Sequence, residues 1–112
     1  MTENDLLRAV IELAQAAGYR VHHQRPGMTR KGKWVSAIQG NPGWPDLVIC
    51  GKGRFIVAEL KSERGIASPD QRHWIHRLLE AQIEVHLWRP SHWTDGTIAK
   101  ALDCDGGMIR KG

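Results

Sequence analysis

Two short apolar segments separated by a glycine-containing turn constrain the fold of this chain more than any other feature. Residues 47–50 and Arg54–Leu60 are apolar and partly β-branched, and Gly51-Lys52-Gly53 lies between them. Runs of this length around such a turn are typical of a β-hairpin. The second run is apolar on both alternating faces, which is typical of a central strand covered by helices. The segment therefore predicts a sheet with a buried central strand.

Charged residues stand at the matching ends of these two predicted strands. Asp46 precedes the first strand and Glu59 ends the second. In an antiparallel pair these positions lie at the same end of the sheet, and Lys61 shares the face of Glu59 because side chains alternate with a period of two. One interpretation is an ordinary salt bridge between Glu59 and Lys61. The other is a site in which two carboxylates hold a divalent cation and an amine lies beside a phosphate.

The motifs around these residues resemble a known family. Gly43-Trp44-Pro45-Asp46 lies upstream, Glu59-Leu60-Lys61 ends the second strand, and Ser68-Pro69-Asp70-Gln71 begins the next predicted helix. In this order the motifs resemble the VRR-NUC branch of the PD-(D/E)xK nucleases, closely from residue 43 to about residue 88. The resemblance implies an α/β, restriction-endonuclease-like fold, with a mixed central β-sheet flanked by α-helices.

The resemblance also implies a metal-dependent endodeoxyribonuclease and assigns roles to residues. Asp46 and Glu59 are the expected metal ligands, Lys61 is the expected catalytic lysine, and Gln71 is an expected accessory residue beside the site. Mg²⁺ prefers oxygen ligands and keeps several waters, so the two carboxylates, the Leu60 backbone carbonyl and phosphate oxygens would suit it; Mn²⁺ can substitute.

The resemblance further implies a substrate and an assembly state. Stand-alone members resemble Holliday junction resolvases, so branched DNA is the expected substrate, and symmetric cutting of two strands favours a homodimer. A nicking or restriction-type nuclease acting on duplex DNA would carry the same motifs. A non-catalytic nucleic-acid-binding module is the alternative from another class, although binding alone needs basic residues rather than acidic ones.

Gln71 has two interpretations. Ser68 as N-cap, Pro69 at the first helical position and Gln71 at the third are typical of a capping box, here for a helix over residues 68–81. The helical period also places Gln71 on a sheet-facing side shared with Trp74, Ile75, Leu78, Leu79 and Gln82. A capping role and a role beside the site therefore both stay open.

Residues 2–17 predict an amphipathic helix that ends before Gly18. Related nucleases often add a glutamate from the first helix to the metal site. At about 100° per residue, Glu3 lies near the centre of the apolar stripe and Glu12 lies on the opposite face, so Glu3 is the expected additional ligand. The alternative is that Glu3 is a first-turn carboxylate favoured by the helix dipole, with Thr2 as the N-cap.

Composition favours one domain over residues 1–112 that binds a polyanion. The 112 residues are 41% hydrophobic and carry a net charge of +4, which suits a modest core and a nucleic-acid partner. The loop over residues 24–43 has four basic residues expected to contact DNA phosphates, namely Arg25, Arg30, Lys31 and Lys33. A solvated hairpin is the alternative for this loop. Trp44 is expected either to wedge against DNA or to pack under the loop.

The remaining segments complete the prediction. Strands are expected at residues 19–23 and 84–88, and a last helix at residues 91–102 with Ser91 as its N-cap, interrupted in its pattern by Gly96. The helix between the Glu59 strand and residues 84–88 makes these two strands parallel. Trp74 and Trp88 are core or near-core candidates. The cysteines show no zinc-site spacing, and no signal peptide or membrane span is evident, so a cytoplasmic location without membrane association is expected.

Overall fold

The computed structural model describes residues 1–23 and 39–105, together with the short strands at 27–28, 34–35 and 108–109. Its helices are α1 (Glu3–Ala16), α2 (Pro69–Glu80), α3 (Pro90–Thr94) and α4 (Thr97–Ala101). Its strands are β1 (Arg20–His23), β2 (Gly27–Met28), β3 (Trp34–Val35), β4 (Leu47–Gly51), β5 (Arg54–Leu60), β6 (Glu84–Trp88), β7 (Cys104–Asp105) and β8 (Met108–Ile109). None of the helices within these ranges is long and apolar enough to cross a lipid bilayer.

The main sheet has four strands in the order β1-β4-β5-β6. β4 pairs antiparallel with β1 and β5, whereas β5 pairs parallel with β6. This mixed sheet with flanking helices confirms the predicted α/β architecture. β4 and β5 are joined by Lys52 and Gly53, whose φ angles are 52° and 74°. Positive φ at both central positions is typical of a type I′ turn, which matches the twist of a hairpin.

The hydrophobic core lies between α1 and the sheet. Leu6, Val10 and Ala14 recur on one face of α1 and are fully buried. The last five residues of β5 are all buried, so the predicted central strand is confirmed. α1 is capped by Thr2, as the alternative interpretation of Glu3 expected. The Thr2 hydroxyl accepts a hydrogen bond from the Asp5 backbone N–H at 3.1 Å, and the Asp5 carboxylate accepts one from the Thr2 backbone N–H at 2.9 Å.

Helix α2 differs from the prediction because none of its residues is fully buried. Leu79, which was expected to face the sheet, is 54% exposed. Trp74 is half-buried, which agrees with a near-core position, and its ring packs edge-on against Trp44, with 4.9 Å between centroids. Trp88 is only 2% exposed, and its prediction as a core residue is confirmed.

The predicted last helix is two short helices. α3 ends at Thr94 and α4 begins at Thr97, with Gly96 between them at a φ of 86°. A left-handed glycine cannot continue a right-handed helix, so the chain changes direction there. The N-cap of α3 is Arg89 and not Ser91, because Pro90 already provides the first helical position.

Arg54 stabilises the end of the sheet that lies away from Glu59. Its guanidinium donates to both carboxylate oxygens of Glu84, at 3.1 and 2.6 Å. It also donates to the Tyr19 hydroxyl at 2.9 Å and to the Ala101 carbonyl at 2.8 Å. This single side chain therefore ties β5, β6 and the end of α4 together.

Candidate active site

Asp46 and Glu59 face each other at one end of the central hairpin. Leu47 pairs with Ala58, so the next pair toward this end is Asp46 with Glu59. Oδ2 of Asp46 accepts a hydrogen bond from the Leu60 backbone N–H at 2.8 Å. This contact fixes the Asp46 carboxylate against the end of β5, beside the side chain of Glu59.

Glu59 is buried although it is ionisable, with an exposed fraction of 1%. Its Oε1 accepts a hydrogen bond from the Gln71 amide at 3.2 Å and lies 3.9 Å from Nζ of Lys61. Its Oε2 is buried and has no hydrogen-bond donor within the described ranges. A buried polar atom without a donor costs folding free energy. Such an atom therefore indicates local strain or a functional site.

Burial, together with the neighbouring Asp46 carboxyl group, raises the pKa of Glu59 to about 9, and the charge of Lys61 limits this increase. Without a cation, the two adjacent carboxyl groups therefore retain a proton at neutral pH. A bound cation would have the opposite effect and would favour the ionised form of both.

Gln71 satisfies both interpretations of the sequence. Its Oε1 accepts from the Ser68 backbone N–H at 2.8 Å, and its own backbone N–H donates to the Ser68 hydroxyl at 3.2 Å, which completes the capping box. The remaining amide group, Nε2, donates to Glu59. Because α2 begins at Pro69, the cap itself places the Gln71 side chain beside the carboxylates.

Gly43 joins the loop before Asp46 to the first turn of α2. Its φ is 98°, and a Cβ at this position would lie 2.5 Å from the backbone carbonyl carbon of Asp70. No side chain fits that approach, so glycine is required both for its conformation and for its size. The contact holds the segment with Trp44 and Asp46 against the helix that carries Gln71.

The residues present fit a small divalent cation. Within the described residues there is no group of three or more His, Cys, Asp or Glu side chains placed to hold a metal ion. Mg²⁺ is usually bound by only one or two carboxylates with waters and substrate oxygens completing its shell. The pair of Asp46 and Glu59, with the buried Oε2 that lacks a donor, matches this requirement. The Leu60 carbonyl lies at the same strand end, and its role as a metal ligand stays a prediction.

Glu3 lies in the first turn of α1 and is exposed. Its charge contributes a small increase to the pKa of Glu59, so its side chain is within electrostatic reach of the pair. Glu12 is also exposed and lies farther along the helix. A metal-binding role for Glu3 stays a prediction.

The predicted DNA-contacting residues divide into two groups. Arg25, Arg30, Lys31 and Lys33 lie outside the residues whose side chains the structure describes. Trp44 is 43% exposed and contacts Trp74, whose indole N–H donates to the Asn41 carbonyl at 3.2 Å. An open groove of about 900 Å³ runs along α2 beside this pair, and Trp74 and Arg72 contribute to its wall. The partnership of the two tryptophans was missed because their separation in sequence gives no local pattern.

Comparison with known proteins supports the fold. No family model matches the sequence, and no curated protein matches it. A solved structure described as "VRR_NUC domain" is 20% identical, covers 88% of this chain and 96% of its own, and has a TM-score of 0.63. A second, described as "VRR_NUC domain protein", is 18% identical, covers 98% and 97%, and has a TM-score of 0.65. This chain therefore has the fold of VRR-NUC domains.

Proposed function

We propose that this chain is a metal-dependent endodeoxyribonuclease that hydrolyses phosphodiester bonds. The observation that carries the proposal is the buried Glu59 carboxylate beside Asp46, with one oxygen that has no donor within the described ranges. A protein that only binds DNA gains nothing from two adjacent acidic groups, since they repel phosphate. The fold shared with VRR-NUC domains is consistent with this activity.

Asp46 and Glu59 would hold Mg²⁺ or Mn²⁺, with the Leu60 carbonyl and Glu3 as further candidate ligands. When bound, such an ion would supply Lewis-acid stabilisation of phosphate charge and an acidified water. Gln71 would keep the Glu59 carboxylate in its orientation through the 3.2 Å hydrogen bond.

Lys61 would neutralise the charge that develops on the attacked phosphate or orient the attacking water. Its Nζ lies 3.9 Å from Oε1 of Glu59, which is too long for a hydrogen bond. The Lys61 amine therefore lies near Glu59 without donating a hydrogen bond to it, and its donors can turn to a phosphate oxygen. Its side chain is 15% exposed, so it keeps a path to substrate.

The substrate class in this proposal is branched or otherwise structured DNA such as a Holliday junction, cut by a homodimer. A net charge of +4 supports a polyanionic partner, and the exposed Trp44 offers an aromatic face for a base or sugar. The alternatives are a nicking or restriction-type nuclease on duplex DNA and a module that binds nucleic acid without cutting it.

Cleavage of labelled DNA tests the proposal. Purified protein is incubated with a four-way junction and with linear duplex of the same sequence, with Mg²⁺, Mn²⁺ or a chelator. We expect cleavage only when metal is present. We also expect the cleavage rate to fall by at least about a hundredfold in Asp46→Asn and in Lys61→Ala. Glu12→Gln, which removes an exposed charge from α1, is the matched control.

Three outcomes separate the alternatives. Preference for the junction supports a structure-specific enzyme, whereas equal cutting of duplex supports a nicking or restriction-type enzyme. Binding of DNA without cleavage in any metal supports the binding module and contradicts the proposal, as does undiminished cleavage by Asp46→Asn.

A further inference from the structure

The guanidinium of Arg89 holds the loop that follows Lys61. Its Nη1 donates to three backbone carbonyls in that loop: Ser62 at 2.8 Å, Glu63 at 3.2 Å and Gly65 at 2.6 Å. Arg89 immediately follows β6, and the Lys61 backbone N–H donates to the Trp88 carbonyl at 3.0 Å. The loop therefore leaves β5 beside the arginine and folds around its side chain.

Two further contacts restrict the same loop. The Glu63 carboxylate accepts a hydrogen bond from the Ser91 backbone N–H at 2.9 Å, and the hydrogen bonds from Ser91 lower the pKa of Glu63. At Gly65, a Cβ would lie 2.8 Å from the Ser62 hydroxyl and 3.6 Å from Cδ of Lys61. The loop thus packs closely against the aliphatic part of the Lys61 side chain.

Both ends of this loop carry residues of the site. Lys61 stands at its beginning, and Ser68, the N-cap of α2, stands at its end. The cap in turn orients Gln71, which donates to Glu59. A displacement of the loop would therefore move the Lys61 ammonium and the Gln71 amide relative to the carboxylates, without any change in β4 or β5.

We propose that Arg89 is a positioning residue that sets the placement of Lys61 and Gln71 for DNA cleavage. The inference rests on the proposed nuclease function. Arg89 acts through the loop carbonyls, so its removal should lower the rate of the chemical step and leave the affinity for DNA nearly unchanged. A residue that only contributes charge to DNA binding would show the reverse.

Single-turnover cleavage at saturating DNA tests this inference. Arg89→Ala is compared with Arg77→Ala, which removes the same charge from an exposed position on α2, where the guanidinium lies 3.8 Å from the Glu80 carboxylate. We expect the cleavage rate to fall about ten- to a hundredfold in Arg89→Ala and to change less than about twofold in Arg77→Ala. Arg89→Lys should recover part of the rate because an ammonium group can donate to the same carbonyls.

A double-mutant cycle with Lys61→Ala identifies the route of the effect. If Arg89 acts through Lys61, adding Arg89→Ala to Lys61→Ala should cost much less than it costs in the wild-type chain. An equal fractional loss in both backgrounds, or a loss confined to DNA affinity, would overturn the inference.

Hydrogen exchange provides a readout that does not need activity. In Arg89→Ala, backbone amides of residues 61–67 should exchange at least about tenfold faster, while those of α1 and β4 keep their protection. If the wild-type chain cuts no DNA, the proposed function fails, but faster loop exchange would still place Arg89 as the residue that holds the loop. Unchanged loop exchange would refute that role, and Arg89→Met, which keeps an aliphatic side chain but has no donors, serves for the same measurement if Arg89→Ala does not fold.

Discussion

Replacing Glu59 with glutamine should stabilise the metal-free protein at alkaline pH. The pKa of Glu59 is about 9 in the folded chain, against an ordinary value of 4.5. The folded state therefore holds this proton more tightly than the unfolded state between these two pH values. The associated stability is fully present below pH 4.5 and is lost as the pH rises toward 9. Because glutamine is neutral at every pH, the Glu59→Gln variant would not lose this stability as the pH rises.

The size of the effect follows from the pKa difference. Each pH unit within this window corresponds to about 1.4 kcal/mol, so a rise from about pH 5 to about pH 8 would cost up to about 4 kcal/mol. Domains of this size are stable by roughly 5–15 kcal/mol in total, so the loss would be a large fraction. The carboxyl groups with a lowered pKa contribute their stability throughout this pH range and lose it only in more acidic solution; they are Asp5, Glu63, Glu84 and Asp95.

Urea unfolding in a chelating buffer measures the difference. Between about pH 5 and pH 8 the midpoint of the wild-type chain should fall by roughly 1–4 M relative to Glu59→Gln. Mg²⁺ at pH 8 should restore the midpoint of the wild type and leave that of Glu59→Gln unchanged. Glu12→Gln is the control for loss of an exposed carboxylate. Parallel pH profiles for wild type and Glu59→Gln would refute the argument that burial of this charge limits the stability.

Three further outcomes are expected. Gly43→Ala should destabilise the fold by about 1–3 kcal/mol in urea unfolding, and by more than Gly40→Ala, since both glycines have positive φ but only Gly43 meets another residue, the Asp70 backbone. Arg54→Lys should lower the free energy of unfolding by about 1–3 kcal/mol, because an ammonium group cannot reproduce the bidentate contact with Glu84; an unchanged melting temperature would contradict this. Trp44→Ala should weaken DNA binding by about 1–3 kcal/mol in fluorescence anisotropy, and equal affinity would contradict a stacking role.

The central sheet could be predicted from sequence because its signals are local. The turn at Lys52 and Gly53 fixes the register of β4 and β5, and that register alone brings Asp46 opposite Glu59. The placement of Gln71 could be predicted for the same reason, since a capping box determines where the third residue of a helix points.

The departures from the prediction come from packing between segments distant in sequence. The helical period places Leu79 on the same face as Trp74, but α2 packs mainly along β6 and leaves that residue exposed. The clamp made by Arg89 joins residues 24 to 27 positions apart, so no spacing rule indicates it. The break at Gly96 was visible as an irregularity, but the direction of the chain beyond it depends on the burial of Ile98 and Leu102.

The capping contact of Gln71 determines which atom of Glu59 carries a proton. A side-chain amide has one accepting and one donating end, and Oε1 of Gln71 is committed to the Ser68 backbone N–H. Nε2 must then face Glu59 and can only donate, so the Glu59 oxygen that it meets is an acceptor. When Glu59 is protonated, this contact therefore favours the hydrogen on Oε2, the oxygen that has no donor within the described ranges. A glutamate at position 71 would cap α2 equally well, but it would place one of its carboxylate oxygens against an oxygen of Glu59. The orientation of the side chain at the helix start therefore favours glutamine at this position.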